Sequence, residues 1–522
     1  MKTWFFLFIP LALLWAQSIP TNVRVSVYGP YHPEVTIAIN PTNPQNLLVS
    51  SNGLQVYYSY DGGQTWGQHF QTSIYGNCGD ACVLFDTYGY AYLATLAYHP
   101  DSGFELERIV IHRSDDGGNT YPLLSFAGYD TCSYQDKEWL GTDLTDSPFR
   151  GNLYVCWTRF DTLYSSSEND SSRIMFSFST DTGRTWSPAM RISDRQGDCL
   201  DGDNTMEGAV PAVGPNGEIY VSWAGLSKIW FDQSTDGGHT FGKDKIIAEQ
   251  PGGWKFDVSG LMRCNGLPQT LCDTSRISPF RGTIYVVFSD QRNGEDNTDV
   301  FLIKSTDQGQ TWSAPVKVNQ DTGRAQQFYP WAAIDPASGY LYVVFYDRRE
   351  HPNSDTTDVY LARSVDGGET FTDFRINQDS FKPRSDVFFG DYINMTAFAG
   401  HIYPIWVKMV GSSTSIWMAP ISEPVGIDQR QPSLVSEFRI LQNYPNPFNA
   451  RTTVIYSLAE KQNVRFTLFN ILGQKIKNWQ LPAQMPGKHK LVLDFSDFSA
   501  GVYFLKMQSG NRISGRKMVY IP

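Results

Sequence analysis

One eight-residue pattern occurs six times in the first three-quarters of this 522-residue chain and constrains its fold more than any other feature. Each copy reads Ser-x-Asp-x-Gly-x-Thr followed by an aromatic residue, as in SYDGGQTW and STDQGQTW. Successive copies begin 55 to 71 residues apart, so each marks one unit of an internal repeat. The copies lie at 59–66, 114–121, 179–186, 234–241, 305–312 and 364–371.

The residue types of this pattern are those of a tight hairpin turn. A carboxylate at the third position can accept hydrogen bonds from backbone N–H groups of the turn. Glycine at the fifth position supplies a positive φ, and the final aromatic residue anchors the hairpin in a hydrophobic layer. The pattern therefore predicts six β-hairpins of similar shape.

The motif resembles the Asp box of sialidase-like β-propellers. The resemblance implies four-stranded blades, with each Asp box at the hairpin that joins the third and fourth strands. It also implies that the boxes lie at the blade periphery, away from the central site. We therefore expect a structural role for their aspartates, which are Asp61, Asp116, Asp181, Asp236, Asp307 and Asp366.

A second repeat, an apolar strand followed by a turn and another apolar strand, occurs seven times. We predict an all-β fold with a seven-bladed propeller, in which the early strand at 22–28 pairs into the last blade and closes the ring. The last unit, 391–421, has no Asp box. The alternative is the six-bladed form usual for sialidases, with one unit as an insertion. The strand pairs lie at 35–51, 82–96, 139–157, 209–223, 277–289, 331–345 and 395–407.

The two ends of the chain carry export signals. Residues 1–17 contain one Lys, an apolar run and small residues, which is typical of a secretory signal peptide. The propeller is expected at 18–425, a polar linker at 426–436, and a small β-sandwich at 437–522. An ordinary carbohydrate-binding sandwich is the alternative interpretation of the last segment.

Four segments near the C-terminus closely resemble the sorting domain of type IX secretion substrates: YPNPFN, NILGQKI, SAGVYFLKM and RKMVYI. The resemblance implies export through the periplasm and across the outer membrane. The protein would then be released or attached at the cell surface, and its partner would be the type IX secretion machinery. No other segment is long and apolar enough to span a membrane.

Composition agrees with an exported all-β protein. Aromatic residues make up 14% of the chain, charged residues 18%, and there are 44 glycines, which suits tight turns and aromatic packing between sheets. The net charge of −11 argues against nucleic acid as a partner. An anionic ligand would need a local cluster of arginines.

Seven cysteines fit an oxidising compartment, with one left over. Cys78 is close to Cys82, and Cys264 is close to Cys272, so these are two candidate disulfides. Cys132 and Cys199 lie in loops that lead into successive repeats and are a third candidate pair. Cys156 is expected to be a buried free thiol.

Acidic residues recur at the starts of the inner strands, where a propeller builds its ligand face. We expect them to converge on the axis, and the loops after the second strands to add arginines over the same face. The inner-strand residues are Glu34, Asp80, Glu138 (with Asp136), Glu207, Asp257, Tyr329 and Asp391. The loop residues are Arg159, Arg292 and Arg348, with Arg349 adjacent.

A sialidase needs three arginines for the substrate carboxylate, a tyrosine activated by a glutamate, and an aspartate as acid and base. Arg159, Arg292 and Arg348 are the candidates for the first role. The tyrosine is Tyr329 or Tyr392, each beside Glu207. The acid is Asp80 or Asp136, with Glu138 and Asp391 as further substrate contacts.

The chain departs from sialidases at one motif. Their Arg-Ile-Pro triplet is replaced by Val-Arg-Val at 23–25, so the resemblance transfers the fold and not the activity. The alternative role of the arginines is structural, as members of salt bridges between blades. Three hypotheses follow: a glycoside hydrolase acting on extracellular glycans, a non-catalytic propeller that binds glycans or proteins at the cell surface, and a structural spacer.

Cofactor motifs are absent from the sequence. There is no HExxH, no P-loop, no dinucleotide fingerprint and no Gly-x-Ser-x-Gly elbow, so no cofactor is expected. A structural calcium ion is a weak alternative at the loop carrying Asp198, Asp201 and Asp203. The echo between 295–300 and 354–359 is interpreted as an inter-strand turn.

Overall fold

A computed structural model describes the chain as two compact units, Met1–Val425 and Gly426–Pro522. The signal peptide at 1–17 and the linker at 426–436 lie outside the described residues. The described ranges are 19–26, 32–52, 55–76, 78–97, 106–130, 133–423, 438–444, 446–458, 462–484, 487–510 and 512–521.

The first unit is built from antiparallel sheets whose strands follow chain order. Strand β1 (Val23–Arg24) precedes them. The first three sheets are β2 (Thr36–Ile39), β3 (Leu47–Ser50), β4 (Gln55–Ser59) and β5 (Gly67–Phe70); β6 (Gly79–Phe85), β7 (Ala91–Ala97), β8 (Arg108–Ser114) and β9 (Leu123–Ala127); and β10 (Tyr134–Thr142), β11 (Leu153–Phe160), β12 (Ser172–Ser179) and β13 (Met190–Arg191).

Three further sheets of the same kind follow. They are β14 (Glu207–Val213), β15 (Ile219–Gly225), β16 (Lys228–Ser234) and β17 (Lys245–Glu249); then, after the short pair β18 (Lys255–Phe256) and β19 (Cys264–Asn265), β20 (Gln269–Cys272), β21 (Ile284–Asp290), β22 (Asp299–Ser305) and β23 (Val316–Lys317); and β24 (Gln327–Ile334), β25 (Leu341–Asp347), β26 (Asp358–Ser364) and β27 (Thr372–Arg375).

The last sheet of this unit combines the two ends of the repeat region. It contains β28 (Asn394–Phe398), β29 (His401–Val410), β30 (Ser413–Met418) and β31 (Ile421–Ser422), and β1 pairs with β30. Among the described residues this makes seven sheets of four or five strands. Their first strands contact each other in the order β2, β6, β10, β14, β20, β24, β28 and back to β2. This ring of radiating sheets is a β-propeller, as predicted.

The six Asp boxes have the geometry that their residue types predict. Each lies between the third and fourth strands of its sheet, from β4–β5 to β26–β27. The Thr N–H donates to the Asp Oδ1 at 2.8–3.0 Å in every copy. The fifth-position glycines all have positive φ, for example 86° at Gly63 and 103° at Gly118. The aspartates therefore hold hairpins together.

The second unit is a β-sandwich with its own core. One sheet contains β32 (Arg439–Tyr444), β33 (Arg451–Leu458) and β36 (Gly487–Asp494), and the other contains β34 (Gln462–Asn470), β35 (Lys475–Gln484), β37 (Gly501–Ser509) and β38 (Arg512–Tyr520). Tyr456, Phe466, Leu493 and Leu505 are buried between the two sheets. No helix among the residues described is long and apolar enough to cross a membrane.

Two predicted disulfides are wrong. Cys78, Cys82, Cys264 and Cys272 are free thiols, although Cys78 packs against the core cluster that contains Cys82. The Cys82 sulfur accepts a hydrogen bond from Leu140 of the next sheet, while Cys264 is buried in a core cluster that does not include Cys272. Cys156 is a buried free thiol, as predicted, and Cys132 lies outside the described residues.

Candidate functional site

The inner strands begin with the same backbone irregularity in several sheets. The pairing register shifts at the start of β6, β10, β14 and β24, which is the signature of a β-bulge. Residues with positive φ stand at or beside these bulges, among them Asp80 (49°), Lys137 (53°) and Tyr329 (49°). Because a bulge redirects the neighbouring side chain, these starts aim polar groups at the propeller axis.

Carboxyl groups from five sheets meet at the axis and interact directly. Glu34 and Asp136 each lie next to Asp80, and Asp201 lies next to Glu207. Burial and the negative charge of each neighbour raise the pKa of Glu34, Asp136 and Glu207. We call these groups the axial cluster: Glu34, Asp80, Asp136, Glu138, Asp201, Glu207 and Asp391.

The deepest members of the cluster are held near the neutral form. Glu138 is 1% exposed and Glu207 6% exposed. Burial, reinforced by the charge of Asp80, raises the pKa of Glu138 well above its ordinary value. Burial and the neighbouring Asp201 do the same for the pKa of Glu207. Both oxygens of Glu138 and one of Glu207 lack a hydrogen-bond partner among the described atoms.

Three cations face this cluster, and one of them, Lys255, donates from Nζ to the Asp201 carbonyl at 2.6 Å. Lys137 lies between Asp136 and Glu138 in the chain, and its Nζ is 3.9 Å from the centroid of the Tyr392 ring. Arg263 donates from Nε to Asp391 at 2.9 Å and from a terminal nitrogen to the other oxygen of the same carboxylate. Its other terminal nitrogen is 3.8 Å from Asp201. Seven carboxyl groups outnumber these three cations, so the site is rich in acidic side chains.

Arg263 reaches the axis on a crossing segment, residues 251–268, which we call the axial strap. Buried Trp254 and Phe256 anchor the strap, and Trp254 Nε1 donates to the Thr205 carbonyl at 3.2 Å. On the opposite side, Asn265 donates to the Asp391 carbonyl at 2.9 Å, and Tyr329 donates its hydroxyl to the Arg263 carbonyl at 2.7 Å. The strap therefore holds a cation over the acidic mouth.

Aromatic side chains fill the axis beneath the mouth. Trp139 packs on Trp331 with ring centroids 4.4 Å apart, and Tyr392 meets Trp139 edge to face at 5.4 Å. The cavity left between them, lined also by Lys137 and Asp391, has a volume of about 30 Å³. A cavity of this size holds water and not a sugar ring, so any larger ligand must bind at the mouth.

Two aromatic side chains border the mouth. Tyr164 is 64% exposed, and the charges of Asp201 and Arg263 both act on its hydroxyl. Phe388 lies under the Arg263 guanidinium, 4.8 Å from it. Carboxylates and an arginine next to partly exposed rings form a surface suited to a polar ligand with apolar faces.

The predicted substrate-binding arginines do not meet at this site. Arg159 pairs with Asp130 at 2.8 Å, Arg292 with Asp290, and Arg348 donates to the Ser259 carbonyl at 2.7 Å. The adjacent Arg349 pairs with Asp347 and Asp373. Of these contacts, the Arg159–Asp130 pair is a salt bridge between segments of neighbouring sheets, whereas Arg292 and Arg349 pair within their own sheets. Within the described ranges, Arg159, Arg292 and Arg348 share no partner.

The candidate tyrosines reach the axis but are not activated there. Tyr329 donates to a backbone carbonyl, and Tyr392 donates to the Ala81 carbonyl at 3.4 Å. Burial raises the pKa of both hydroxyls well above the ordinary value. Asp257, predicted at the axis, is an exposed residue of the strap instead.

The loop considered for calcium has its oxygens directed elsewhere. Asp198 accepts from Thr205 at 2.8 Å, Asp203 accepts from the Lys255 N–H at 2.8 Å, and Asp201 faces Arg263. In the described part of the chain, no three His, Cys, Asp or Glu side chains are arranged to hold a metal ion.

Three residues of the mouth were not predicted from the sequence: Lys137, Arg263 and Tyr164. Lys137 was overlooked between two acids that were predicted, although its neighbours place it on the same strand. Arg263 and Tyr164 lie in segments without regular strand patterning. The only signal available for Arg263 was its place in a long insertion before β20.

The C-terminal unit matches a known family. Residues 442–521 match the family described as the secretion system C-terminal sorting domain. The chain is thus an Asp-box β-propeller followed by a type IX sorting domain, and it is exported across the outer membrane to the cell surface or the medium. The sorting domain implies an interaction with the type IX secretion machinery.

Solved structures resemble this chain only distantly. A protein of unknown function from Dyadobacter fermentans is 14% identical, with a TM-score of 0.42, and the match covers 63% of this chain and 94% of that one. An ulvan lyase of family PL25 is 13% identical, with a TM-score of 0.47 and coverage of 77% and 96%. A Hadza microbial sialidase is 13% identical, with a TM-score of 0.41 and coverage of 72% and 73%. No curated protein matches the sequence significantly.

Proposed function

We propose that this exported propeller binds neutral or amino-bearing glycans at its axial mouth. The observation that carries the proposal is the axial cluster itself, in which seven carboxyl groups face three cations, Lys137, Lys255 and Arg263. Carboxylates accept hydrogen bonds from sugar hydroxyls and pair with ammonium groups. An anionic sugar would meet repulsion, since Arg263 is already neutralised by Asp391 and Asp201.

Sialic acid is a poor fit to this geometry. Its carboxylate would need several free guanidinium groups, whereas Arg159, Arg292 and Arg348 are engaged in separate places. The rings of Tyr164 and Phe388 suit the C–H faces of a pyranose that lies across the mouth. The mouth residues available to a ligand are Asp80, Asp136, Asp201 and Asp391, which are only partly buried.

Retention on immobilised glycans tests the proposal. The full chain is passed over glucosamine oligomers, cello-oligosaccharides and sialylated oligosaccharides. We expect retention on the first two, and no retention on the third that depends on the axial carboxyl groups. The double variant Asp136→Asn/Asp201→Asn should lose retention, while Asp257→Asn, an exposed acid of the same strap region, should keep it. Retention on sialylated glycans alone would refute the proposal.

Hydrolysis of the bound glycan is a second candidate function. It is favoured by Glu207, a buried carboxyl group whose pKa is raised by burial and by the neighbouring Asp201. A raised pKa suits a carboxyl group to the role of general acid in glycosidic cleavage. Released sugars are followed by mass spectrometry with the same glycans. Release that Glu207→Gln abolishes, without loss of retention, would establish the hydrolase; retention without release would leave a binding protein.

A further inference from the structure

A groove on the last propeller sheet lies apart from the axial mouth. It has a volume of about 420 Å³ and runs along β1, β29 and β30. A groove of this size is in the range of small-molecule sites. Its polar lining consists of two cations, one indole and three hydroxyl residues, of which Thr414 is buried: Arg24, Lys408, Trp417, Ser413, Thr414 and Ser415.

Strand register explains why these side chains share one face. Arg24 stands directly opposite Trp417, and Lys408 stands opposite Ser415, two residues from Trp417 on β30. Alternate residues of a strand point to the same side, and neighbouring strands are about 4.8 Å apart. The arginine and the lysine therefore approach Trp417 from its two flanking strands.

The charges in the groove are available to a ligand. Arg24 is exposed and makes no ion pair or side-chain hydrogen bond within the described ranges. Lys408 lies 5.1 Å above the Trp417 ring and pairs with Asp379 at 2.9 Å. The Asp379 side chain is 74% exposed, so this pair is a solvated one that an anion can replace at little cost. Among the described residues, no carboxylate lines the groove.

We propose that this groove binds a carboxylated sugar, such as a hexuronate. The carboxylate would pair with Arg24 and Lys408, since a guanidinium fork matches carboxylate geometry. Ser413 and Ser415 would hydrogen-bond the ring hydroxyls, and Trp417 would contact the C–H surface of the ring. The preference is opposite to that proposed for the axial mouth, so the two sites can be tested separately.

Ligand-observed NMR and calorimetry on the full chain test this site with D-glucuronate as the probe and D-glucose as the neutral comparison. We expect saturable binding of glucuronate only. Arg24→Gln should weaken it about tenfold or more, since one charge-assisted pair is lost. Lys408→Gln gives a second test should the first variant fold poorly. Lys228→Gln, a cation of another sheet paired with Glu249, is the matched control and should bind normally.

Three results would each overturn the proposal. They are equal glucuronate affinity in Arg24→Gln and the unaltered chain, equal affinity for glucose and glucuronate, and no saturable binding of glucuronate up to roughly 50 mM. Electrophoresis through gels containing polygalacturonate distinguishes a site for a uronate within a polymer from a site for the free uronic acid. Retardation that Arg24→Gln abolishes assigns a uronate within a polymer, and monomer binding without retardation assigns the free acid. Either result supports a carboxylate site.

Discussion

At the scale of single residues, aspartates at the periphery and carboxyl groups at the axis shift in opposite directions. Partial burial opposes ionisation of Asp236, but hydrogen bonds from Thr240 and Ser234 outweigh it and lower its pKa to about 2. At the axis, burial outweighs the few donors, such as the Lys137 N–H to Asp136, and the pKa values of Glu34, Asp136, Glu138 and Glu207 rise. Hydrogen-bond donors of the turn therefore set the pKa of the Asp-box aspartate, whereas desolvation sets the pKa of the axial carboxyl groups.

Removing an Asp-box carboxylate should loosen one hairpin. Asp236 accepts from the Thr240 N–H at 2.9 Å and from the Thr240 hydroxyl at 2.6 Å. We expect Asp236→Ala to lower the free energy of unfolding by about 1 kcal/mol, a small value because the turn is largely solvated. Urea unfolding at neutral pH measures it. Asp257→Ala, an exposed acid outside any box, should leave stability unchanged; an equal loss in both would contradict the assigned role.

The raised pKa of Glu138 predicts a distinct pH dependence. A carboxyl group whose pKa is higher in the folded than in the unfolded chain favours folding most below its unfolded value, near 4.3. That contribution is lost as the pH rises through the folded value. Glu138→Gln lacks this titration. The melting temperature of the variant, relative to that of the unaltered protein at the same pH, should therefore increase between about pH 5 and 8. Glu249→Gln, at an exposed ion pair, should give a curve parallel to the unaltered one. A parallel curve for Glu138→Gln would show that the group does not titrate there.

At the scale of elements, regular patterns were predictable and irregular ones were not. The strand pairs and the Asp-box hairpins follow from alternating apolar residues and from turn chemistry, both of which are local properties. The convergence of Glu34, Asp80, Asp136, Glu207 and Asp391 followed from the repeat, because equivalent positions of a ring meet at its axis. The axial strap did not follow, since its course is set by distant contacts such as Trp254 with Thr205.

The same limit explains why the contacts of the arginine side chains were not predicted. Arg292 and Arg348 lie in loops that follow second strands, as predicted, whereas Arg159 lies within the second strand β11. Neither position fixes where a long side chain points. Each guanidinium group binds a nearby acceptor, as Arg159 binds Asp130. Side-chain pairing of this kind depends on the geometry of the neighbouring sheet, which a single sequence does not show.

The sequence echo at 295–300 and 354–359 corresponds to a buried polar clasp in two sheets. Asp358, at the start of β26, accepts from Asn377 at 3.0 Å, and the Val359 N–H donates to the Asn377 Oδ1 at 2.7 Å. In the preceding sheet, Asn319 bonds Asp299 and Val300 in the same way, at 2.7 and 2.9 Å. Each clasp ties the segment after the fourth strand to the start of the third.

Breaking the clasp should be costly because its members are buried. Asn377→Ala leaves the Val359 N–H and the Asp358 carboxylate with fewer partners, so we expect a loss of about 2 kcal/mol in the free energy of unfolding. Asn319→Ala should cost a similar amount, and the two losses should add because the sheets differ. Denaturant unfolding provides the values. Asn353→Ala, on an exposed loop, is the control, and a loss no larger than that of the control would contradict the clasp.

At the scale of the whole molecule, the propeller closes by pairing its two ends. Strand β1 joins β30, so the first described strand completes the sheet formed by the last. The Val25 N–H donates to the Ile416 carbonyl at 2.9 Å, and the Ile416 N–H donates to the Ser26 hydroxyl at 3.0 Å. Closure covers an edge that would otherwise expose unpaired backbone groups.

A proline at this closure should open the ring. Val25 is fully buried, and Val25→Pro removes both its N–H and its packing. We expect a loss of about 3 kcal/mol or more and a lower melting temperature for the propeller. The C-terminal sandwich has a core of its own, so its melting transition should not move. Calorimetry of the full chain resolves the two transitions. Thr21→Pro, which alters an exposed position just before β1, should melt like the unaltered protein; an unchanged propeller transition in Val25→Pro would show that the ring does not depend on this closure.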